Sequence, residues 1–261
     1  MTSPVLLTTA VVLGVLVTLL WLISLARRDA SIVDPFWGTG FVVVAWIAVA
    51  TADHLTPRSW LLAALTTVWG LRLSLFLLWR NHGKGEDYRY RAMREYHGAR
   101  FGLVSFVTVF LLQGLLLWFI SWPLQWGIAA PHAPAGWSFL DLAGGLLWIV
   151  GLLFESVGDW QLARFRADPA NRGQVFDRGL WRYTRHPNYF GDFCVWWGLF
   201  LLAAAQGAAW TIASPLLMSL LLWKVSGVAL LERTIGERRP AYAEYCRRTN
   251  AFFPGPPRRP R

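Results

Sequence analysis

Cysteine is nearly absent from this sequence: Cys194 and Cys246 are the two present, and they form neither a CxxC pair nor a metal-binding pattern. Two such cysteines do not indicate a disulfide framework, and no metal site is expected. A Gly-rich dinucleotide-binding fingerprint is also missing, so no cofactor follows from a loop motif. The fold is therefore predicted from the pattern of hydrophobic residues.

Charge is scarce as well, with 15% charged residues against 55% hydrophobic ones and a mean hydropathy of +0.39. Segments of about 20 apolar residues, long enough to cross ~30 Å of hydrocarbon, recur along the chain. The sequence predicts an all-α, polytopic integral membrane protein with about seven transmembrane helices and no separate soluble domain. The predicted spans are Val5–Ala26, Phe36–Ala52, Trp60–Trp79, Phe101–Leu124, Leu140–Val157, Tyr189–Ala205 and Trp210–Leu231.

The basic residues predict the orientation of these spans. With seven spans, 23 of the 25 Lys and Arg residues fall on one side, Arg58 faces the other side, and Arg72 lies inside the third span. The positive-inside rule then predicts an N-terminus outside and a C-terminus in the cytoplasm. Loop bias and anionic lipids account for the net charge of +10, so no nucleic-acid partner is expected.

Two charged residues inside the predicted spans, Arg72 and Glu155, favour either a functional cavity or a buried ion pair. Glu155 begins a helical stripe that continues through Asp159 to Arg166. Such a stripe is compatible with a solvated face, but it starts within the bilayer and so favours the wall of a polar cavity.

The segment GLWRYTRHPNYFGDF, 179–193, is the densest polar and aromatic motif. Asn188 and Asp192 lie four residues apart on one face of the predicted sixth span. The N-terminus of that helix favours an anion such as a pyrophosphate, and Arg185 and His186 flank it. Interfacial anchoring by the aromatic residues is the alternative, although it does not account for Asn188 and Asp192.

Three further features lie on the same predicted side of the membrane. Asp34 opens the second span, either as a helix cap or as a functional acid. The segment WRNHGKGEDYRYRAM, 79–93, contains Tyr88 and Tyr90, and an amphipathic C-terminal helix has Glu232 at its root.

From Glu155 onward the chain resembles the C-terminal domain of the membrane steroid 5-alpha-reductases, and most closely their bacterial domain-of-unknown-function relatives. The resemblance is good over roughly the last 105 residues and weak over the first four spans. It implies a single membrane domain in which 1–127 form the substrate side and 138–261 the NADPH side. It also implies reduction of a carbon–carbon double bond conjugated to a ketone.

The resemblance assigns roles residue by residue. Asp159 and Arg166 match an Asp and an Arg that contact the cofactor, and Asn188 and Asp192 match a polar pair four residues apart. The full cofactor-binding set is Arg72, Asp159, Arg166, Arg172, Arg185, His186, Asn188, Asp192 and Glu232. Asp34 stands where the reductases carry a catalytic Glu.

At two positions the sequence departs from the reductase pattern. The catalytic Tyr of the reductases falls at Trp69, and their cofactor-contacting His falls near Leu231 and Glu232. Tyr88, or Tyr90, is the candidate replacement for the missing acid, so the predicted catalytic pair is Asp34 and Tyr88.

The implied substrate is a hydrophobic small molecule that enters from the bilayer, with no protein partner, in the bacterial inner membrane. An S-adenosylmethionine-dependent membrane methyltransferase of a lipid or isoprenylated substrate is the alternative. RHPNY followed by a Glu and a Tyr-rich helix resembles those enzymes too. A transporter or scaffold lacks support because no inverted repeat is visible.

Overall fold

The computed structural model describes residues 3–130, 136–225 and 240–258. Within those ranges every regular element is helical, which confirms the predicted all-α class. The α-helices are α1 Ser3–Arg27, α2 Val33–Thr51, α3 Pro57–Asn81, α4 Tyr88–His97, α5 Phe101–Ser105, α6 Leu112–Ile120, α7 Trp122–Ile128, α8 Phe139–Ala167, α9 Pro187–Ala203, α10 Ala213–Leu220 and α11 Pro240–Arg248.

Six helical stretches of the described chain are long and apolar enough to cross a membrane, which confirms a multi-pass membrane protein. They are Pro4–Arg27, Ala30–Thr51, Pro57–Asn81, Tyr88–Ile120, Phe139–Ala167 and Pro187–Val225. The number differs from the predicted seven because the last two predicted spans share one 39-residue helical run. That run contains Gly207, whose φ of 89° lies in the left-handed region that glycine tolerates and other residues avoid. The end of the predicted seventh span lies outside the described residues.

Side-chain caps mark where some of these helices begin. Thr56 Oγ1 accepts a hydrogen bond from Ser59 N–H at the start of α3, and Ser59 Oγ accepts one from Thr56 N–H in return. This capping box satisfies two backbone donors that the first turn leaves unpaired. α2 begins differently, because Ile32 precedes it and supplies no side-chain cap. Asp34 lies within the first turn of α2 instead of ahead of it, so its carboxylate is not the cap that the sequence allowed.

The described chain forms two compact units, and the first comprises Met1–Gly136 and Leu202–Ser214. In this unit α2 and α3 approach closely where Gly38 faces Gly70. A Cβ atom on Gly38 would lie 2.1 Å from the Gly70 carbonyl oxygen, so no larger residue fits there. Ser74 on α3 donates a hydrogen bond of 2.7 Å to the Pro35 carbonyl. These contacts hold the first turn of α2, which carries Asp34, against α3.

A π-helical stretch, Phe106–Leu111, separates α5 from α6 in the same unit. Val109 and Phe110 in this stretch are buried in a hydrophobic cluster that also contains Val17, Phe101 and Tyr90. A π-turn accommodates one residue more than an α-turn, so it rotates the side chains that follow it by about 100°. α6 therefore presents a different face to α2 than an uninterrupted α-helix would.

The second unit comprises Trp137–Leu201 and Pro215–Arg261. Its main feature is a seam of glycines between α8 and α9. A Cβ atom on Gly191 would lie 2.5 Å from the Glu155 nitrogen, and one on Gly198 would lie 2.7 Å from the Gly144 oxygen. Gly158 continues the seam against Pro187. Small residues of this kind allow membrane helices to pack backbone against backbone.

We expect Gly191→Ala to destabilise the protein by about 1–3 kcal/mol, because the added methyl group collides with backbone atoms that cannot rotate away. Gly145→Ala is the matched control, since Gly145 lies on α8 and a Cβ atom added there would enter open space. Thermal unfolding in detergent, followed by far-ultraviolet circular dichroism, measures both variants. Equal unfolding temperatures for the two variants would show that the seam does not limit stability.

Candidate functional site

Asp34 is the centre of a buried polar cluster in the first unit. Its Oδ2 accepts a hydrogen bond of 2.7 Å from the Arg89 guanidinium, and its Oδ1 accepts one of 2.7 Å from the Tyr90 hydroxyl. The Asp34 side chain is 16% exposed and Tyr90 is 6% exposed. A carboxylate removed from water to this extent needs such partners, because an unpaired buried charge is costly. The structure thus joins the start of α2 to α4 through a carboxylate, a phenol and a guanidinium.

The cluster continues from Tyr90 into α6. Gln113 Nε2 donates to the Tyr90 oxygen at 3.3 Å, and Gln113 Oε1 accepts a hydrogen bond of 2.6 Å from Trp37 Nε1. Sequence reasoning missed Gln113, although a single amide in the apolar run FVTVFLLQGLLLWFI was a usable signal. Trp37, Gln113, Tyr90, Asp34 and Arg89 form one continuous hydrogen-bonded chain.

Two acidic residues ahead of α4 tie this cluster to the segment before α2. Glu86 Oε1 accepts hydrogen bonds from Ala30 N–H at 2.9 Å and from Arg94 at 2.7 Å. Burial alone would raise the pKa of the Glu86 carboxyl, but the donors on Arg94 and Ala30 outweigh it and the pKa lies below its usual value. A lowered pKa means that this contact contributes stability at neutral pH and loses it as the pH falls through that pKa. Asp87 N–H adds a 2.6 Å hydrogen bond to Ser31 Oγ.

Two of the three tyrosines of α4, Tyr88 and Tyr90, occupy different environments. Tyr90 is buried and bonded to Asp34, whereas Tyr88, the predicted catalytic partner of Asp34, is 43% exposed. Trp69, which the resemblance aligned with the catalytic tyrosine of the reductases, is fully buried and packs against Phe41 with 5.8 Å between ring centroids. The structure therefore places the hydroxyl of Tyr90, which can donate a proton, directly on the Asp34 carboxylate.

A second polar pair lies in the other unit, at the end of the glycine seam. Asn188 Nδ2 donates to Asp159 Oδ1 at 3.3 Å, next to the Gly158–Pro187 contact. Asp159 and Glu155 are both buried. The structure therefore brings together Asp159 and Asn188, two of the predicted cofactor residues, and the close packing of α8 and α9 explains how.

Arg185 and His186 lie where the C-terminal tail folds back on this unit. The Arg185 guanidinium donates to the carbonyl of Cys246 at 3.1 Å and also to that of Thr249, while its backbone N–H donates to the Asn250 carbonyl at 2.9 Å. The His186 ring stacks on Tyr189, with 5.5 Å between centroids. These contacts show that Arg185 holds the C-terminal tail in place. Its predicted contact with a cofactor phosphate stays a prediction.

The remaining predicted cofactor residues are dispersed. Arg166 and Arg172 are exposed near the end of α8, and Asp192 is half-buried on α9. Arg72, in the first unit, lies 5.3 Å from the centre of the Phe76 ring, in cation–π geometry. Glu232 lies outside the described residues.

Comparison with known proteins places the chain in a family but not in a reaction class. The profile of a family described as "Protein of unknown function (DUF1295)" matches residues 20–249. "Uncharacterized protein C594.04c" of Schizosaccharomyces pombe is 24% identical over 267 residues, which cover 92% of this chain and 77% of that protein. "Probable O-methyltransferase ustE" of Ustilaginoidea virens is 30% identical over 112 residues, which cover 42% of this chain and 34% of that protein. No solved structure matches.

Proposed function

The chain belongs to the DUF1295 family, and we propose that it is a membrane-embedded, NADPH-dependent reductase. Its substrate in this proposal is a hydrophobic, steroid-like or lipid molecule that has a carbon–carbon double bond conjugated to a ketone. Hydride would be delivered from the cytoplasmic side, in the bacterial inner membrane. The steroid 5-alpha-reductase resemblance suggests the reaction, and one feature of the first unit supports it.

That feature is the Tyr90–Asp34–Arg89 cluster. Reduction of an enone places negative charge on the ketone oxygen, and a hydroxyl donor beside a guanidinium is suited to stabilising that charge. Tyr90 supplies the donor, Arg89 supplies the positive charge, and Asp34 supplies a carboxyl group that can return a proton to Tyr90. The low exposure of Tyr90 keeps competing water away from the donor. The proposed catalytic pair is therefore Asp34 and Tyr90, whereas the sequence predicted Asp34 and Tyr88.

The second unit offers groups that fit a dinucleotide. The Asp159–Asn188 pair presents a carboxylate and an amide, which suit ribose hydroxyls or a carboxamide, and the exposed guanidinium groups of Arg166 and Arg172 suit phosphates. When bound, the reduced nicotinamide supplies a hydride. The role of the protein is to hold the cofactor and to provide the proton donor.

A parallel titration of the purified protein with NADPH and S-adenosylmethionine tests the cofactor. We expect NADPH to bind, and Arg166→Ala to weaken that binding by about 10- to 100-fold, because a charge-assisted contact worth ~1.5–3 kcal/mol is lost. Arg164→Ala is the matched control, since Arg164 lies on the same helix over the Trp160 ring. Tight S-adenosylmethionine binding without NADPH binding would overturn the reductase proposal.

That outcome would favour the second candidate, a membrane O-methyltransferase. The similarity to a probable O-methyltransferase is the observation in its favour. The same tyrosine and carboxylate would then act in the opposite direction, as a base that removes the proton of a substrate hydroxyl.

The topology in this proposal has seven spans, with the N-terminus outside and the C-terminus in the cytoplasm. Gly207 would form the turn that divides the last helical run into two spans. Single cysteines introduced at Asp53 and at Lys84, after removal of Cys194 and Cys246, test it. A membrane-impermeant thiol reagent added to intact cells should label position 53 and not position 84. Labelling of both positions would contradict the proposed number of spans.

A further inference from the structure

In the hydrogen-bonded chain from Trp37 to Asp34, the donor and the acceptor of each hydrogen bond are fixed. An indole nitrogen can only donate, so Trp37 Nε1 requires the oxygen of the Gln113 amide, 2.6 Å away. This requirement sets the orientation of the amide, and Gln113 Nε2 must face Tyr90. At the other end, an ionised Asp34 can only accept. A donor-only group and an acceptor group at the two ends therefore orient every hydrogen bond between them.

The fixed direction limits where the Tyr90 proton can point. Because Gln113 donates to the Tyr90 oxygen, the hydroxyl hydrogen cannot point toward Gln113. Asp34 Oδ1, at 2.7 Å, receives it in the structure. Arg89 occupies the other carboxylate oxygen. If Asp34 gains a proton and donates it to Tyr90, the Tyr90 hydrogen is left for an acceptor on a ligand.

The π-helical stretch explains how Gln113 reaches this position. Gln113 follows Phe106–Leu111 closely, and the extra residue in that stretch rotates α6 by about 100° relative to an α-helix continued from α5. A single π-turn is an unfavourable element that is frequently found at functional sites. Here its consequence is the placement of one amide between Trp37 and Tyr90.

We propose that Trp37 and Gln113 are positioning residues that restrict the Tyr90 proton to two acceptors, Asp34 and the carbonyl oxygen of a bound ketone. Asp34 first takes up a proton from the solvent when the ketone binds. Transfer of the Tyr90 proton to the ligand oxygen is then balanced by transfer of that proton from Asp34 to Tyr90, which leaves Asp34 ionised again. The inference rests on the proposed function for its ligand, a ketone, and on the contacts of the five residues for its geometry. It assigns roles to two uncharged residues that lie outside the predicted cofactor-binding set.

The carbonyl stretching band of a bound ketone tests this inference without turnover. The probe is a saturated ketosteroid, which cannot be reduced at a carbon–carbon double bond, with carbon-13 at the carbonyl. We expect the parent protein to shift the band to lower frequency, because binding of the ketone is coupled to protonation of Asp34 and Tyr90 then donates to the ketone oxygen. Tyr90→Phe should abolish the shift. Gln113→Glu should also abolish it, since a carboxylate accepts from Tyr90 and provides a third acceptor. Trp37→Phe should reduce the shift, because the Gln113 side-chain amide can then rotate by half a turn and present its oxygen to Tyr90.

Gln125→Leu is the matched control for the loss of a buried amide. Gln125 accepts a 2.7 Å hydrogen bond from Thr9 and donates one of 2.8 Å to Ser121, in the same unit but outside the Asp34 cluster. It should lower the thermal stability and leave the carbonyl band as in the parent. A band that stays at the parent frequency in Gln113→Glu would overturn the inference, and so would a parent protein that shifts no ketone band. Failure of NADPH to bind would overturn the reductase proposal alone, because the band test needs no cofactor.

Discussion

Tyr90→Phe is expected to lower kcat for enone reduction by about 10²–10⁴, the contribution typical of a positioned proton donor, with a much smaller change in KM. Phenylalanine keeps the ring in the hydrophobic cluster and removes only the hydroxyl that bonds to Asp34. Steady-state kinetics with a ketosteroid enone and NADPH measures the effect.

Two other tyrosines of α4 provide the comparison. Tyr88→Phe tests the residue that the sequence favoured, and Tyr96→Phe changes a residue that is 85% exposed and serves as the control. We expect kcat of both variants to stay within about twofold of the parent, since surface substitutions of this size have small effects. A large loss in Tyr88→Phe with a normal Tyr90→Phe would reassign the proton donor to Tyr88.

Asp34→Asn is expected to have the second largest effect, on both turnover and stability. The amide removes the negative charge that pairs with Arg89 and the carboxyl group that returns the proton to Tyr90. The loss of stability should be about 1–3 kcal/mol, between the values for exposed and fully buried ion pairs, because Arg89 keeps its contact with Asp87 and is partly exposed. Turnover should fall about as far as in Tyr90→Phe.

Asp29→Asn provides a control that separates this effect from helix capping. Asp29 caps the short helical turn before α2 by accepting a hydrogen bond from Ser31 N–H. Asparagine caps about as well as aspartate, so Asp29→Asn should unfold near the parent temperature. Equal unfolding temperatures for Asp34→Asn and Asp29→Asn would mean that the Asp34–Arg89 pair contributes nothing to stability. If Asp34 were a helix cap, one of the two roles that the sequence allowed, Asp34→Asn would also cause little loss of stability.

The sequence could not decide whether Tyr88 or Tyr90 of α4 contacts Asp34. Residues two apart on an α-helix point about 200° away from each other, so Tyr88 and Tyr90 face different surroundings. Which of them meets Asp34 depends on how α4 docks on α2, across a separation of 55 or more residues. Local periodicity carries no information about that docking. The position of Gln113 was not predicted for a related reason. The π-turn before it breaks the 3.6-residue period from which one predicts which residues share a helix face.

The glycine seam is a feature of packing that composition does not reveal. Gly151 and Gly191 read as two ordinary glycines in apolar spans, and only the approach of α8 to α9 shows that a Cβ atom at either position would collide with backbone. The same approach brings Asp159 to Asn188, two residues that the resemblance had already singled out.

The sequence by itself determined that the chain is helical and multi-pass, because the length and apolarity of a membrane span are local properties set by the thickness of the bilayer. It also located the acids, amides and arginines worth testing. The tertiary structure decided which of them meet: Tyr90 instead of Tyr88 at Asp34, Gln113 at Tyr90, and Arg185 at the C-terminal tail. Those pairings are hydrogen bonds between groups that lie far apart in the sequence. Their formation depends on helix rotation and close packing, which no single segment of sequence specifies.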